Sequence, residues 1–467
     1  MTKLVVKAGK EILQKVYAAA SEFGVEAYAV GGFVRDLYMG VEGTDIDFVI
    51  IGDAVEFARF FRKKHRGGKV VTFNRFGTAM LNYQDWKLEF VSAREEHYQK
   101  DSRKPQVKKA DLTSDLSRRD FTINCLAIHI SPERFGEVID IFNGIEDINN
   151  KIIRTPLDAE ITFSDDPLRI LRAVRFAARF NFKIEEKTYR AIIDTKERLS
   201  IVSQERTTDE FRKMMLMKKP SIGLELLKET GIAKTIFPEL DTLAGVEQRK
   251  DYHHKDVFYH TLEVVDNISE NTDEFDLRMV ALMHDIAKPQ TKKFIEGIGW
   301  TFHGHEELGA RMVNRIGRRM RLPLNSIKYI QKLVRLHMRP MQLVDVSVTD
   351  SAIRRMMVEA GEDIDDLMIM CRADITSKNP RKKKLYLENF DKVEDRIKEV
   401  EEKDSLKQFK PAFSGDDIMK LLDIPPGRLV GEIKQAIVDA ILDGKIPNKY
   451  EACYNYFMEI KDQYIKK

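Results

Sequence analysis

The sequence predicts an α+β fold, a head with a mixed sheet over residues 1–150 followed by a mostly α-helical remainder. Three observations predict it. Short apolar or alternating runs crowd the first 150 residues: Ala27–Val30, Asp45–Ile51, Lys69–Thr72, Ala79–Tyr83 and Lys87–Val91. That is the pattern of half-buried or core strands. From about Asp165 the spacing of Leu, Ile, Met and Phe changes to three and four, which is helical. The chain also has 467 residues, 43% of them hydrophobic, enough for about three domains with real cores and too apolar for a disordered chain.

Charge and cysteine usage narrow the class. With 78 basic and 75 acidic side chains the net charge is only +3, so a nucleic-acid partner would be held by local basic surfaces. Cys125, Cys371 and Cys453 are far apart and none belongs to a CxxC pair, which argues against a disulfide scaffold or a zinc ribbon and fits a reducing cytosol. The N-terminal Met1–Lys7 regains charge too early for a signal peptide, and no apolar run approaches the roughly 20 residues that cross a bilayer. A soluble cytoplasmic protein without membrane contact is expected.

The head elements follow in order. Ala27–Val30 runs into Gly31-Gly32, and Val34 to Tyr38 reads as a helix start. Two glycines at a strand-to-helix turn let backbone N–H groups approach phosphate, and Arg35 could add a charge-assisted contact. In Asp45-Ile46-Asp47 the two acids share one face of a strand and Ile46 takes the other. Paired carboxylates suit Mg²⁺, which shares its shell with substrate phosphates. An isolated Asp-x-Asp is more often a solvated loop; the nearby double glycine tilts the reading toward a site.

Beyond the head, the segment 151–245 opens a helix with Asp165-Asp166-Pro167, a good N-terminal signal. Arg169, Arg172, Arg175 and Arg179 then fall on one face, with Ile170, Leu171, Val174, Ala177 and Ala178 opposite. Arginine without lysine suits planar bidentate recognition better than general solubility. Ser203-Gln204-Glu205-Arg206, leading to Glu210, takes a structural role, with Ser203 placed to cap the next helix. Seven of the ten histidines lie between 253 and 337. His284-Asp285 sits in an apolar run, as a buried metal site would need, and nitrogen with oxygen donors suits Mn, Ni or a similar transition metal. His253, His254 and His303 take no assigned role. The basic run Lys378–Lys384 reads as a linker, a charged helix follows over about 385–405, and Pro425-Pro426-Gly427 turns between two helices of the tail.

These motifs carry a resemblance. Gly31-Gly32-x-Val34-Arg35-Asp36, followed by Asp45-x-Asp47, resembles the head of the class II tRNA nucleotidyltransferase and bacterial poly(A) polymerase superfamily. The resemblance implies a DNA polymerase β-like palm over 1–150 with Asp45 and Asp47 as catalytic metal ligands and Glu89 as a third carboxylate. Gly32 and Arg35 would bind nucleotide. Arg118-Arg119-Asp120-Phe121-Thr122-Ile123-Asn124-Cys125 is similar to the ribose-recognition segment, with Cys125 for the commoner alanine. Asp120 would accept from a 2′-OH and Arg119 would meet a phosphate. Asp165 to Arg175 looks like the nucleotide-selecting motif. Asp166 and Arg169 would pair with the base edge, and Arg172 and Arg175 would contact base or phosphates. An acid and an arginine can serve cytosine and adenine, which both show an amine beside an acceptor, and reject uracil and guanine.

His260, His284-Asp285, His305, His337 and Asp374 follow the order of the HD phosphohydrolase superfamily, implying a metal-binding helical domain over 246–378. Phe413–Asp417 and Pro426–Gly431 look like the family's tail over 379–467, which would grip tRNA together with the basic run 378–384. Arg94 to Pro105 is similar to the flexible loop of complete CCA enzymes. The expected function is therefore CCA addition to tRNA from CTP and ATP, with Mg²⁺ in the head, by a monomer or homodimer. Rivals are a poly(A) polymerase, a CC- or A-adding enzyme, an HD phosphohydrolase whose head senses nucleotide, and a non-catalytic RNA-binding protein.

Overall fold

A computed structural model describes residues 2–66, 68–99, 102–247, 256–344, 349–404 and 409–465, with backbone only at 75, 94–99, 102–109, 403 and 404. The chain forms two compact units, Met1–Asp241 and Thr242–Lys467.

The first unit is built on seven strands: β1 Glu26–Val30, β2 Asp45–Ile51, β3 Val70–Phe73, β4 Thr78–Tyr83, β5 Trp86–Ser92, β8 Ala127–His129 and β9 Val138–Ile139, in the order β3-β4-β5-β2-β1-β8-β9. Only β2 and β5 run parallel; the sheet is mixed, as the sequence predicts. Period two governs β2. Ile46, Phe48 and Ile50 are fully buried, while Asp45 is exposed and Asp47 half-buried on the other face. The Ile46 face carries an aromatic cluster in which Phe90 meets Phe48 at 5.4 Å, Phe57 at 5.2 Å and Phe61 at 5.7 Å between ring centres. The opposite face is covered further along by Leu116 and Cys125 packing on Val30 and Val49, so the two aspartates stand where that cover ends.

Three sequence readings change here. The segment resembling a flexible loop has the backbone of an antiparallel hairpin, β6 Arg94–Gln99 with β7 Ser102–Lys109. Ser203 stands at the N-cap of the helix Gln204–Met215, but its side chain makes no capping bond; its carbonyl accepts instead from Arg206 N at 3.1 Å. In the second unit, the basic run expected as a linker begins the 25-residue helix Pro380–Asp404. Proline at the first helical position loses no needed donor. Asn379 Oδ1 accepts from Arg381 N at 3.0 Å and Lys382 N at 3.3 Å, so the Lys-rich stretch is helical from its start.

The second unit packs Val257–Ser269, Phe275–Met283, His305–Arg319, Leu324–Leu336 and Ile364–Ala373 around a common core. Gly317 allows the third and fourth to close up, since a Cβ there would lie 2.6 Å from Ile327 Cγ1. The tail has its own small core, in which Phe413, Ile433, Ile437, Cys453 and Phe457 are buried.

Candidate functional site

The head site forms where β1 hands over to the helix Gly32–Tyr38. Gly31 sits at φ +72° and ψ −134°, a region essentially reserved for glycine, and a Cβ there would lie 2.6 Å from Arg119 Nη1 and 3.5 Å from Asp47 Oδ2. The missing side chain is thus what lets Arg119 lie beside Asp47. In the parallel register Asp47 stands opposite Glu89, and Asp45 opposite Lys87. Asp45, Asp47 and Glu89 therefore share one face of two adjacent strands. Burial pushes the Asp47 carboxyl above its ordinary range, and the Arg119 guanidinium pulls it back. Arg119 is itself held by Asp115, Nη2 to Oδ2 at 3.2 Å. Burial opposes its charge, but Asp115 and Asp47 outweigh that and keep it protonated.

Several predicted nucleotide contacts are instead internally paired. Arg35 is 3% exposed; its donors reach Asn124 Oδ1 and Asp36 Oδ1, and its guanidinium lies 4.8 Å from the Phe180 ring centre. It ties the double-glycine turn to the arginine helix Leu168–Phe180, which does not fit the expected phosphate contact. Asp120 is equally engaged. One oxygen accepts from Asn124 Nδ2 at 2.8 Å, and the other from Arg172 at 2.6 and 2.7 Å. Burial alone would raise its carboxyl, but Arg172 and Asn124 hold it down at about 2. Arg175, at the edge of the arginine face by the 100° helical step, is 8% exposed and paired with buried Glu210 at 2.6 Å. Its expected contact with base or phosphates does not fit that burial. Arg169 donates to the carbonyls of Arg118 and Thr162 at 2.5 and 3.3 Å, and Asp166 pairs with Arg206 at 3.0 Å.

Sequence reasoning missed Asp115 and Phe176, and gave Arg206 only a structural role. The Phe176 ring carries Arg35, Arg172 and Arg175 at 5.3, 5.3 and 4.3 Å. A phenylalanine interrupting a run of arginines was the available signal. Glu210 was read as structural, and its burial between arginines agrees with that.

The second unit gathers all six predicted ligands. His260 Nε2 lies 3.0 Å from Asp374 Oδ1, His284 Nε2 3.2 Å from Asp285 Oδ2, and His305 Nε2 3.3 Å from His337 Nε2. Donor atoms of His260, His284 and Asp285 cluster within 4.8 Å of one another, as do those of Asp285, His305 and His337. Asp285 belongs to both groups, an arrangement open to two ions.

The other ring nitrogens fix the tautomers. Nδ1 of His284, His305 and His337 each faces a backbone carbonyl, of Ala281, Phe302 and Val334, at 2.7–2.8 Å. A carbonyl only accepts, so each Nδ1 carries a proton and each Nε2 faces the centre, where a bound cation would take its lone pair, the orientation that metal-binding histidines need. His284 Nε2, both oxygens of Asp285 and Asp374 Oδ1 are buried and meet His260, one another and Lys288 as ion pairs rather than as directed hydrogen bonds. A divalent cation would satisfy those atoms together, so the residues fit a metal.

With carboxylates and imidazoles alone, burial opposes charge on His284, yet Asp285 and Asp374 raise it to about 10. His337, buried beside it, falls to about 4. Lys288 Nζ, 2.6 Å from Asp285 Oδ2, is a further cation that the sequence reading passed over. A cleft of about 1870 Å³ opens beside the centre, walled by Lys288, Trp300, Phe302, Lys378 and Arg381. Among the described residues no helix is long and apolar enough to cross a membrane. His253 and His254 lie outside the described residues.

Comparison with known proteins matches three stretches. Residues 27–154 match the "Poly A polymerase head domain", 181–243 the "Probable RNA and SrmB- binding site of polymerase A", and 257–379 the "HD domain". The chain is 34% identical over 312 residues to the "Multifunctional CCA protein" of Paraburkholderia phymatum, covering 63% of this chain and 70% of that one. It is 35% identical over 275 residues to the "A-adding tRNA nucleotidyltransferase" of Aquifex aeolicus, 58% of this chain but only 32% of that relative's length. In fold it is similar to a solved CCA-adding enzyme in an apo form, with a TM-score of 0.62, 23% identity, and coverage of 97% of this chain and 96% of that one.

Proposed function

The chain belongs to the tRNA nucleotidyltransferase and poly(A) polymerase family, and on that premise we propose that it adds or repairs the CCA terminus of tRNA. It would use CTP and then ATP, releasing pyrophosphate without a nucleic-acid template. The observation that carries the reading is the shared face of Asp45, Asp47 and Glu89, set against the Gly31 turn and opening near the arginine helix. All three donors are oxygens, which suits Mg²⁺. When bound there, the metal would supply charge neutralisation for the triphosphate and activation of the attacking 3′-OH.

The chain's own groups do the rest. The Gly31-Gly32 backbone leaves room for phosphate, Arg119 supports Asp47, and Asp166 with Arg169 reads the base edge. Asp120 and Arg172 brace the turn 118–124 against the arginine helix. The chain divides functionally into head 1–150, neck 151–245, HD domain 246–378 and a tail 379–467 for tRNA. The histidine centre would hold Mn²⁺, Ni²⁺ or a similar ion on His260, His284, Asp285, His305, His337 and Asp374. A cytoplasmic location accords with tRNA as substrate.

A second reading, an A-adding enzyme, is favoured by the name of the Aquifex relative. Truncated tRNAs ending before CCA, after C and after CC separate the two when incubated with Mg²⁺ and CTP, ATP or both. Full CCA on the shortest tRNA supports the first reading. Extension only of the tRNA ending in CC, and only by ATP, supports the second. Loss of the dominant activity in His284→Ala but not in Asp45→Ala would overturn both.

A further inference from the structure

Asp166 has a partner that matters for its job. Arg206, in the first turn of Gln204–Met215, forks onto it, Nη2 to Oδ2 at 3.0 Å and Nη1 to Oδ1 at 3.5 Å. Leu168 N donates to the same Oδ1 at 3.3 Å. Two donors therefore occupy Oδ1 and one occupies Oδ2. We propose that Arg206 is the positioning residue for base selection, fixing the plane of the Asp166 carboxylate so that the remaining lone pair of Oδ2 is the acceptor offered to the incoming base. This inference rests on the nucleotidyltransferase reading given above.

The argument is one of rotation. The last torsion of an aspartate is broad and roughly two-fold, so an unbraced carboxylate presents its oxygens over a range of angles. Cytosine and adenine offer an exocyclic amine to an acceptor. Uracil and guanine offer a ring N–H about one ring position away, which a swinging carboxylate could also reach. Freezing the plane leaves that second donor unmet, and an unmet buried polar group is what turns a hydrogen bond into discrimination. A guanidinium can do this because its fork holds both oxygens at once; an ammonium holds only one point. Arg206 is partly exposed, with 42% of its side chain open to solvent, so its loss removes the brace without opening a core.

Arg206→Ala, Arg206→Lys, Asp166→Ala and the double variant are compared for kcat and KM with CTP and UTP on tRNA lacking its 3′ end. The UTP/CTP ratio of kcat/KM should rise about tenfold in Arg206→Ala and by less in Arg206→Lys. The double variant should match Asp166→Ala, since the arginine acts through the aspartate. An unchanged ratio in Arg206→Ala, with a folded protein by circular dichroism and CTP incorporation retained, overturns the proposal while leaving the nucleotidyltransferase reading standing. A double variant whose ratio exceeds that of Asp166→Ala by the full Arg206 factor also overturns it, because the two would then act independently. If the wild-type chain incorporates no nucleotide at all, the underlying reading fails together with this one.

Discussion

Removing the Glu210 carboxylate should unfold the first unit at a markedly lower temperature. Glu210 is 3% exposed and sits 2.6 Å from Arg175, itself 8% exposed, with Arg172 at 3.9 Å and Lys213 at 3.2 Å. Taking away one partner of a buried pair leaves an uncompensated charge, at a cost of about 3–5 kcal/mol. Here the lower figure applies, because Lys213 is half-exposed and draws water toward the carboxylate. For a unit of this length, Met1–Asp241, each kcal/mol moves the midpoint by about 2–4 °C. Glu210→Ala should therefore lower it by roughly 6–12 °C in calorimetry. The charge argument has its own control: Glu210→Gln combined with Arg175→Met removes both partners at nearly constant volume and should recover at least half of the loss. A drop below about 2 °C in the single variant, or no recovery in the double, would refute the claim that a buried unpaired charge is the cause.

Three further outcomes follow from the geometry. Gly31→Ala must hold a side chain at φ +72° with its Cβ 2.6 Å from Arg119 Nη1, so it should cost about 1–3 kcal/mol in urea unfolding and cut nucleotide incorporation by pushing the guanidinium away from Asp47. Asp120, held at about 2, contributes stability that is complete above its unfolded value near 3.8 and is lost as pH falls toward 2. The difference is worth about 2 kcal/mol, so Asp120→Asn should be less stable at neutral pH and show a flatter acid limb from pH 5 to 2 in thermal midpoints. Asp285→Asn should lower bound Mn²⁺ at both histidine groups, read as metal content after dialysis, whereas His305→Ala should spare the group of His260 and His284. Equal metal content in Asp285→Asn and the parent chain would contradict a shared ligand.

What the sequence discloses is what local periodicity encodes. The alternation in Asp45–Ile51 gives both the strand and the face on which the aspartates stand, while the resemblance of the order His260, His284-Asp285, His305, His337 and Asp374 to the HD superfamily implies a ligand set whose side chains do converge. Pairings over long separations are not encoded that way. Helical spacing puts Arg172 and Arg175 on or beside one face but says nothing of Asp120, 52 residues away, or Glu210, 35 residues on. Those acids turn an expected ligand surface into a braced one. The start of Pro380–Asp404 was legible and misread: Asn379 before Pro380 is a helix-start signal, and the lysines after it drew attention to charge instead. The hairpins at Arg94–Lys109 and Lys293–Thr301 were hidden because their tips carry none of the usual two-residue turn pairs at a recognisable register.

The paired state of the arginine helix also bears on how selection could work. A bare row of guanidinium groups would attract any nucleoside triphosphate alike, since charge attraction is blind to the base. In this unit four of the cations are already answered by acids: Arg119 by Asp115, Arg172 by Asp120, Arg175 by Glu210 and Arg206 by Asp166. Those pairs lower the general attraction of the row, and they fix the position of the acceptors and donors along it. Direction is what separates cytosine from uracil, which differ at one ring edge in the order of donor and acceptor. On the proposed reading, the acids between the arginines would make base choice a matter of geometry, as an enzyme without a nucleic-acid template would require of its own side chains.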